Sequence, residues 1–141
     1  MNVDITDLKT VRLSQDGSAV IILDQTCLPG SEVYVSLSSA EEIWEAIYRL
    51  KVRGAPAIGI AAAYGIYVCS RQIAANTYGG FCSEFLRIKD YLASSRPTAV
   101  NLVAALDRME KVVVAHSVNP VPEIVELLRV EACLLYTSDA A

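Results

Sequence analysis

The sequence predicts an α+β fold, in which a small three-stranded antiparallel β unit is followed by a bundle of about five α-helices. Apolar and polar residues alternate over residues 9–37 around turn signals, the pattern of half-buried strands. From Ser39 onward the apolar repeat lengthens to the three- and four-residue spacing of amphipathic helices. With 141 residues, 53% apolar and 20% charged, one domain has enough apolar surface for a real core.

The elements follow in order. Val11 and Leu13 alternate with polar neighbours, Asp16-Gly17 is a hairpin turn signal, and Ala19 to Leu23 is a β-branched run. Leu28-Pro29-Gly30-Ser31 supplies the next turn, and Glu32 to Leu37 alternates again, with Val33 and Val35 on one face. Ser39 and Glu42 form a capping box ahead of the stripe Ile43, Ala46, Ile47 and Leu50, a first helix that should end before Gly54. A second helix, roughly Pro56 to Ile73, is apolar nearly all round and should form the centre of the core. Its Gly59 and Ala63 permit close approach by neighbouring helices or serve packing alone. Residues 76–80 break the pattern before a third helix from about Phe81 to Ala93. A fourth opens after Arg96-Pro97 with the stripe Leu102, Leu106, Met109 and Val113, and a fifth starts at Glu123 beyond Pro120 and Pro122. The closing residues 133–141 do not complete the fifth helix's pattern and read as a non-native tail on a domain covering residues 1–132. The natural protein is therefore expected to continue beyond about residue 132.

Charge and composition narrow the functions available. A net charge of −4 offers no broad attraction for a polyanion, so no nucleic-acid partner is expected, and any anion bound should be small and locally gripped. The acidic start does not resemble an export signal, and the apolar segment between Arg53 and Arg71 is too short and Gly-rich for a membrane span. Cys27, Cys69, Cys82 and Cys133 are widely spaced, and buried reduced thiols in a cytoplasmic protein are the simple expectation. One histidine and scattered cysteines build no metal site, and His116 is placed for a capping or cationic role at a helix end. Asp24-Gln25-Thr26 suits a turn better than a cleft, and Glu41, Glu42 and Glu45 form a solvated helix face.

Chemistry concentrates at two matched helix openings, Arg53-Gly54-Ala55-Pro56 and Ser94-Ser95-Arg96-Pro97-Thr98. A helix N-terminus presents unpaired N–H groups and the positive end of the dipole, and arginine adds a planar fork for phosphate oxygens. Two such ends converging would make a phosphate or sugar-phosphate pocket. Spacing alone leaves open the alternative that each arginine merely sits at the surface of a helix start.

Residues 52–65, which run Val52-Arg53-Gly54-Ala55-Pro56-Ala57-Ile58-Gly59 and onward to Gly65, closely resemble the amino-terminal domain of the methylthioribose-1-phosphate isomerase family. Asp24-Gln25-Thr26-Cys27-Leu28-Pro29 and Arg96-Pro97-Thr98-Ala99-Val100-Asn101-Leu102 carry the same resemblance, which runs from about Thr10 to Ala132. The resemblance implies an aldose–ketose isomerase of methionine salvage that turns 5-methylthioribose 1-phosphate into 5-methylthioribulose 1-phosphate without metal or cofactor. It assigns Arg53, Gly54 and Ala55 to the substrate-binding loop and Arg96 to a second substrate-binding arginine. The family's catalytic cysteine and aspartate belong to a Rossmann-like second domain that this chain does not contain, so no residue here takes a catalytic role and the chain alone should be inactive. A homodimeric parent is implied as well. Two relatives remain as alternatives: a ribose-1,5-bisphosphate isomerase, and the non-enzymatic regulatory subunits of the translation-initiation guanine-exchange complex. Leu13 and Cys27 depart mildly from the family, which often has a tryptophan and an aliphatic residue there.

Overall fold

Strands β1 (Val11–Leu13), β2 (Val20–Leu23) and β3 (Tyr34–Leu37) form one antiparallel sheet in the order β1-β2-β3. The computed structural model describes residues 11–27, 29–49, 51–52 and 54–140, with residues 138–140 through their backbone only. Pairing of Val11 with Ile22 and of Ile22 with Val35 puts Val11, Val20, Ile22 and Leu37 on the face turned to the helices, and all four are buried. The β1–β2 turn closes around Asp16, whose carboxylate accepts from Ser14 Oγ (2.9 Å), Ser18 N (3.0 Å) and Ser18 Oγ (2.7 Å). These bonds, the Ser18 hydroxyl first, hold its pKa down at about 2. β3 is shorter than the alternation predicts. Val33 stays outside it with an exposed side chain, although its carbonyl still accepts from Asp24 N at 2.8 Å.

Five helices follow: α1 (Ala40–Tyr48), α2 (Ala55–Arg71), α3 (Tyr78–Ala93), α4 (Val100–Ala115) and α5 (Val121–Ala140). Ser39 caps α1 by accepting from Glu42 N at 3.2 Å. The Glu42 carboxylate reaches past the cap residue to Ser38 N (2.8 Å), a displaced form of the predicted box. Ile43, Ala46 and Ile47 are buried as their spacing predicts, while Leu50 lies outside the described residues. α3 begins at Tyr78 rather than Phe81, because Thr77 Oγ1 accepts from Gly80 N (3.2 Å) and draws Gly79-Gly80 into the first turn. α5 begins at Val121 rather than Glu123, since proline is tolerated in a first turn. It also runs on through Ala140, with the Tyr136 ring 5.9 Å from that of Tyr64.

α2 is the hub. Its residues from Ile58 to Ser70 are all buried, and it packs against every other helix and against β1 and β2. Lys89 ties α3 to α4 through Asp107 (2.7 Å) and Glu110 (2.5 Å), and Arg108 ties α4 to α5 through Glu131 (2.5 Å). His116 is the C-cap of α4, with Nδ1 2.8 Å from the Val112 carbonyl oxygen. The four cysteines are unpaired, and only Cys69 is buried; Cys27, Cys82 and Cys133 are half-buried, which corrects the expectation of several buried thiols. Cys27 falls in the turn after β2 and Cys82 and Cys133 on partly covered helix faces, positions the apolar neighbours in sequence do not reveal. Among the described residues no helix is long and apolar enough to cross a membrane.

Candidate anion-binding site

Helix caps separate the openings into two kinds. α1 and α3 have side-chain caps from Ser39 and Thr77, whereas the cap residues of α2 and α4 are Gly54 and Ala99, which have no side-chain acceptor. The first-turn N–H groups of Ala55 and Ala57 in α2, and of Val100, Asn101 and Leu102 in α4, are therefore left without a side-chain cap. Pro56 has no N–H to satisfy.

These two uncapped openings lie side by side. Gly59 faces α4 so closely that a Cβ there would stand 3.3 Å from the Asn101 carbonyl oxygen and 3.7 Å from the Ala105 Cβ. At about 1.5 Å rise per residue, that contact is roughly 7 Å from Gly54 along α2 and roughly 3 Å from Ala99 along α4. Two positive helix ends are thus brought together at one end of the core, an arrangement that an anion between them relieves. The turn after β2 is fastened to the same region. Gln25 N donates to the Lys51 carbonyl at 2.9 Å, and Val52, next in line, is buried. Within that turn the buried Asp24 accepts from Thr26 N (2.9 Å) and Thr26 Oγ1 (2.5 Å), the turn role its sequence suits.

Each predicted site residue has a definite place except Arg53, which lies outside the described residues. Gly54 is exposed at φ 93° and ψ 135°, a conformation open essentially to glycine alone, and a Cβ there would meet nothing within 4 Å. Ala55 is exposed and opens α2. Arg96 is half-buried and starts a turn closed by Ala99 N donating to its carbonyl at 3.0 Å, with Pro97 in the second position that fixes such turns. It therefore precedes the α4 cap by a full turn instead of standing directly outside the helix. Among the described residues its guanidinium enters no hydrogen bond or ion pair.

A tie that the sequence reading missed runs beside this site. Trp44 Nε1 donates to Ser94 Oγ at 2.9 Å, joining α1 to the segment that leads into Arg96. A cavity of about 510 Å³ lined by Ser39, Glu41, Cys69, Gln72, Glu84 and Arg87 includes no residue of either uncapped opening.

Comparison with known proteins places the chain. Residues 51–141 match the model of the Initiation factor 2 subunit family. The chain belongs to that family. Its curated relatives include a methylthioribose-1-phosphate isomerase of Parabacteroides distasonis, 62% identical over 131 residues, 93% of this chain and 39% of the relative. A 5-deoxyribose 1-phosphate isomerase of Petrotoga mobilis is 44% identical over 129 residues, covering 92% of this chain and 37% of the relative. Among solved structures, the 5-methylthioribose 1-phosphate isomerase of Pyrococcus horikoshii superposes with a TM-score of 0.84 at 38% identity, over 89% of this chain and 35% of that one. The translation initiation factor eIF-2B subunit delta from A. fulgidus superposes with a TM-score of 0.81 at 32% identity, over 89% and 36% respectively. Within this family the chain spans little more than a third of the length of the relatives it matches.

Proposed function

We propose that this chain is the substrate-binding amino-terminal part of a cytoplasmic aldose–ketose isomerase that converts 5-methylthioribose 1-phosphate to 5-methylthioribulose 1-phosphate in methionine salvage. The observation that carries the reading is the juxtaposition of two uncapped helix N-termini at the Gly59–Asn101 contact, with Arg96 on the adjoining turn. Relatives named as isomerases of pentose 1-phosphates supply the reaction class.

In this reading the chain's own work is binding. The amides of Ala55 and Ala57, those at the start of α4, and the guanidinium of Arg96 take the phosphate oxygens, and the family resemblance adds Arg53 as a further substrate-binding arginine. Holding the phosphate fixes the sugar carbons for proton transfer, which converts an encounter into an oriented, effectively unimolecular step. The acid and base that move the proton come from the remainder of the isomerase, a Rossmann-like domain in a homodimeric parent. In this reading no residue of this chain is catalytic, and no metal or cofactor enters.

In the isomerase carrying this chain, Arg96→Ala and Arg53→Ala should each weaken substrate binding by about 1.5–3 kcal/mol, the scale of a hydrogen bond to a charged group. Unchanged Michaelis constants in both variants would overturn the phosphate grip. The likeness to eIF-2B subunit delta supports a second reading, a regulatory subunit without isomerase activity. A complete protein that binds no pentose phosphate would favour it.

A further inference from the structure

Resting on the proposed phosphate site, we infer that Trp44 and Ser94 act as positioning residues: their hydrogen bond makes α1 a brace that sets the Arg96 turn against the opening of α2. Trp44 Nε1 donates to Ser94 Oγ at 2.9 Å across 50 positions of sequence, and Ser94 Oγ donates onward to the Tyr91 carbonyl at 2.6 Å. The indole also stacks on Tyr48 (ring centroids 4.8 Å apart, interplanar angle 21°) and on Tyr91 (6.0 Å, 23°). Ser94 precedes buried Ser95, whose hydroxyl donates to the Leu92 carbonyl at 2.7 Å, so little play separates the braced residue from Arg96.

The segment that leaves the C-terminus of α1 leads to the second opening. Lys51 N donates to the Ala46 carbonyl and Gln25 N donates to the Lys51 carbonyl, both at 2.9 Å. Val52 is buried, and the chain then turns through Gly54 into α2. One short helix thus holds the approach to each half of the phosphate site, through Trp44 on one side and through Lys51 and Val52 on the other. Core packing of Ile43, Ala46 and Ile47 fixes α1 itself, so the Trp44–Ser94 bond is not needed to keep it folded.

Trp44 is the single tryptophan, which makes its indole a direct reporter. The test titrates the 141-residue chain with inorganic phosphate, following Trp44 fluorescence and the indole N–H resonance, with calorimetry for the Trp44→Phe variant. Phosphate should shift both signals in the unsubstituted chain. Ser94→Ala and Trp44→Phe should each raise the phosphate dissociation constant by about three- to tenfold, the worth of one neutral hydrogen bond, and the pair together should cost no more than either alone. The Ser94→Ala loss should vanish in an Arg96→Ala background, a coupling that general loosening of the fold does not produce. If Arg96→Ala abolishes binding while Ser94→Ala leaves it unchanged, or if the two losses add, the brace is refuted and the phosphate site stands. If the unsubstituted chain binds no phosphate, brace and site fall together.

Discussion

Giving α4 the cap it lacks should strengthen the fold and damage the site. Ala99 has the extended backbone of a capping residue (φ −80°, ψ 102°) but no acceptor, so Ala99→Asp places a carboxylate where it can take an N–H of the first turn. A side-chain cap contributes about 1 kcal/mol over alanine, and a negative charge at the positive helix end adds about 0.3–1 kcal/mol. Ala99 is half-buried, so desolvation offsets part of the second gain. The net expectation is a stabilisation of about 1 kcal/mol, or about 3–4 °C in melting temperature for a chain of this size. Phosphate binding should move the other way. The carboxylate occupies an amide the anion needs and opposes its charge across the Gly59–Asn101 contact, so affinity should fall more than tenfold. Ala99→Ser separates the two effects, since a neutral hydroxyl caps without repelling; it should stabilise similarly and weaken phosphate only a few-fold. Urea unfolding followed by Trp44 fluorescence reads the first quantity and phosphate titration the second. Ala99→Asp with higher stability and undiminished phosphate affinity would show that the α4 opening is not part of the site. An unstabilised variant that still binds phosphate would show that its amides are already satisfied.

Other expectations follow from single observations. Gly54→Ala should destabilise by about 1–2 kcal/mol through backbone strain alone, as its Cβ meets nothing, and Gly54→Asn should not rescue it because ψ 135° lies outside the left-handed helical well; urea midpoints decide. Asp16 has a folded pKa depressed from 3.8 to about 2, so its stabilising effect is present above about pH 4 and is lost as pH falls through 2. An Asp16→Ala variant should therefore melt below the parent at pH 6 and converge with it near pH 2, which thermal melts across that range test. Burial pushes the Cys69 thiol up to about 12, so at pH 8 it should resist a thiol reagent until the chain is unfolded, while the half-buried Cys27, Cys82 and Cys133 react sooner; timed labelling with peptide mapping reads the order.

The α+β architecture was legible because each element has a local cause. Alternation in Val11, Leu13, Val20 and Ile22 needs a sheet with one covered face, and the stripe Ile43, Ala46, Ile47 needs a helix with one. All-round apolarity marks α2 as the hub, because a helix without a polar face must be covered on every side. Errors fell where a small tertiary or capping term outweighs pattern. Gly79-Gly80 reads as a break, yet one Thr77 hydroxyl makes it the first turn of α3. Val33 shares a period with Val35, but it precedes the paired strand, which starts at Tyr34, and its side chain is exposed. The matched openings at Gly54 and Arg96 were visible as motifs, and their adjacency was not, because the Gly59–Asn101 contact depends on helix packing rather than on spacing. Nothing local marks Ser94 as the partner of Trp44 either, since that bond also joins segments far apart in sequence.

The burial of α2 explains why the site is where it is. A helix enclosed from Ile58 to Ser70 can offer ligand only its ends, and its two ends differ in kind. Its C-terminus presents carbonyls, and Arg71 there lies over the Tyr67 ring at 6.0 Å. The N-terminus presents amides, with Gly54 and Ala55 exposed and no side-chain cap among the described residues. Placing the α4 N-terminus beside it adds a second set of amides but also sets two positive dipole ends together, a cost the rest of the core must carry. Side-chain caps on both helices would have lowered that cost, as Ser39 and Thr77 do for α1 and α3, and would have closed the site. The glycine and the alanine at these two caps therefore exchange fold stability for anion affinity, which is why capping α4 should move the two quantities in opposite directions.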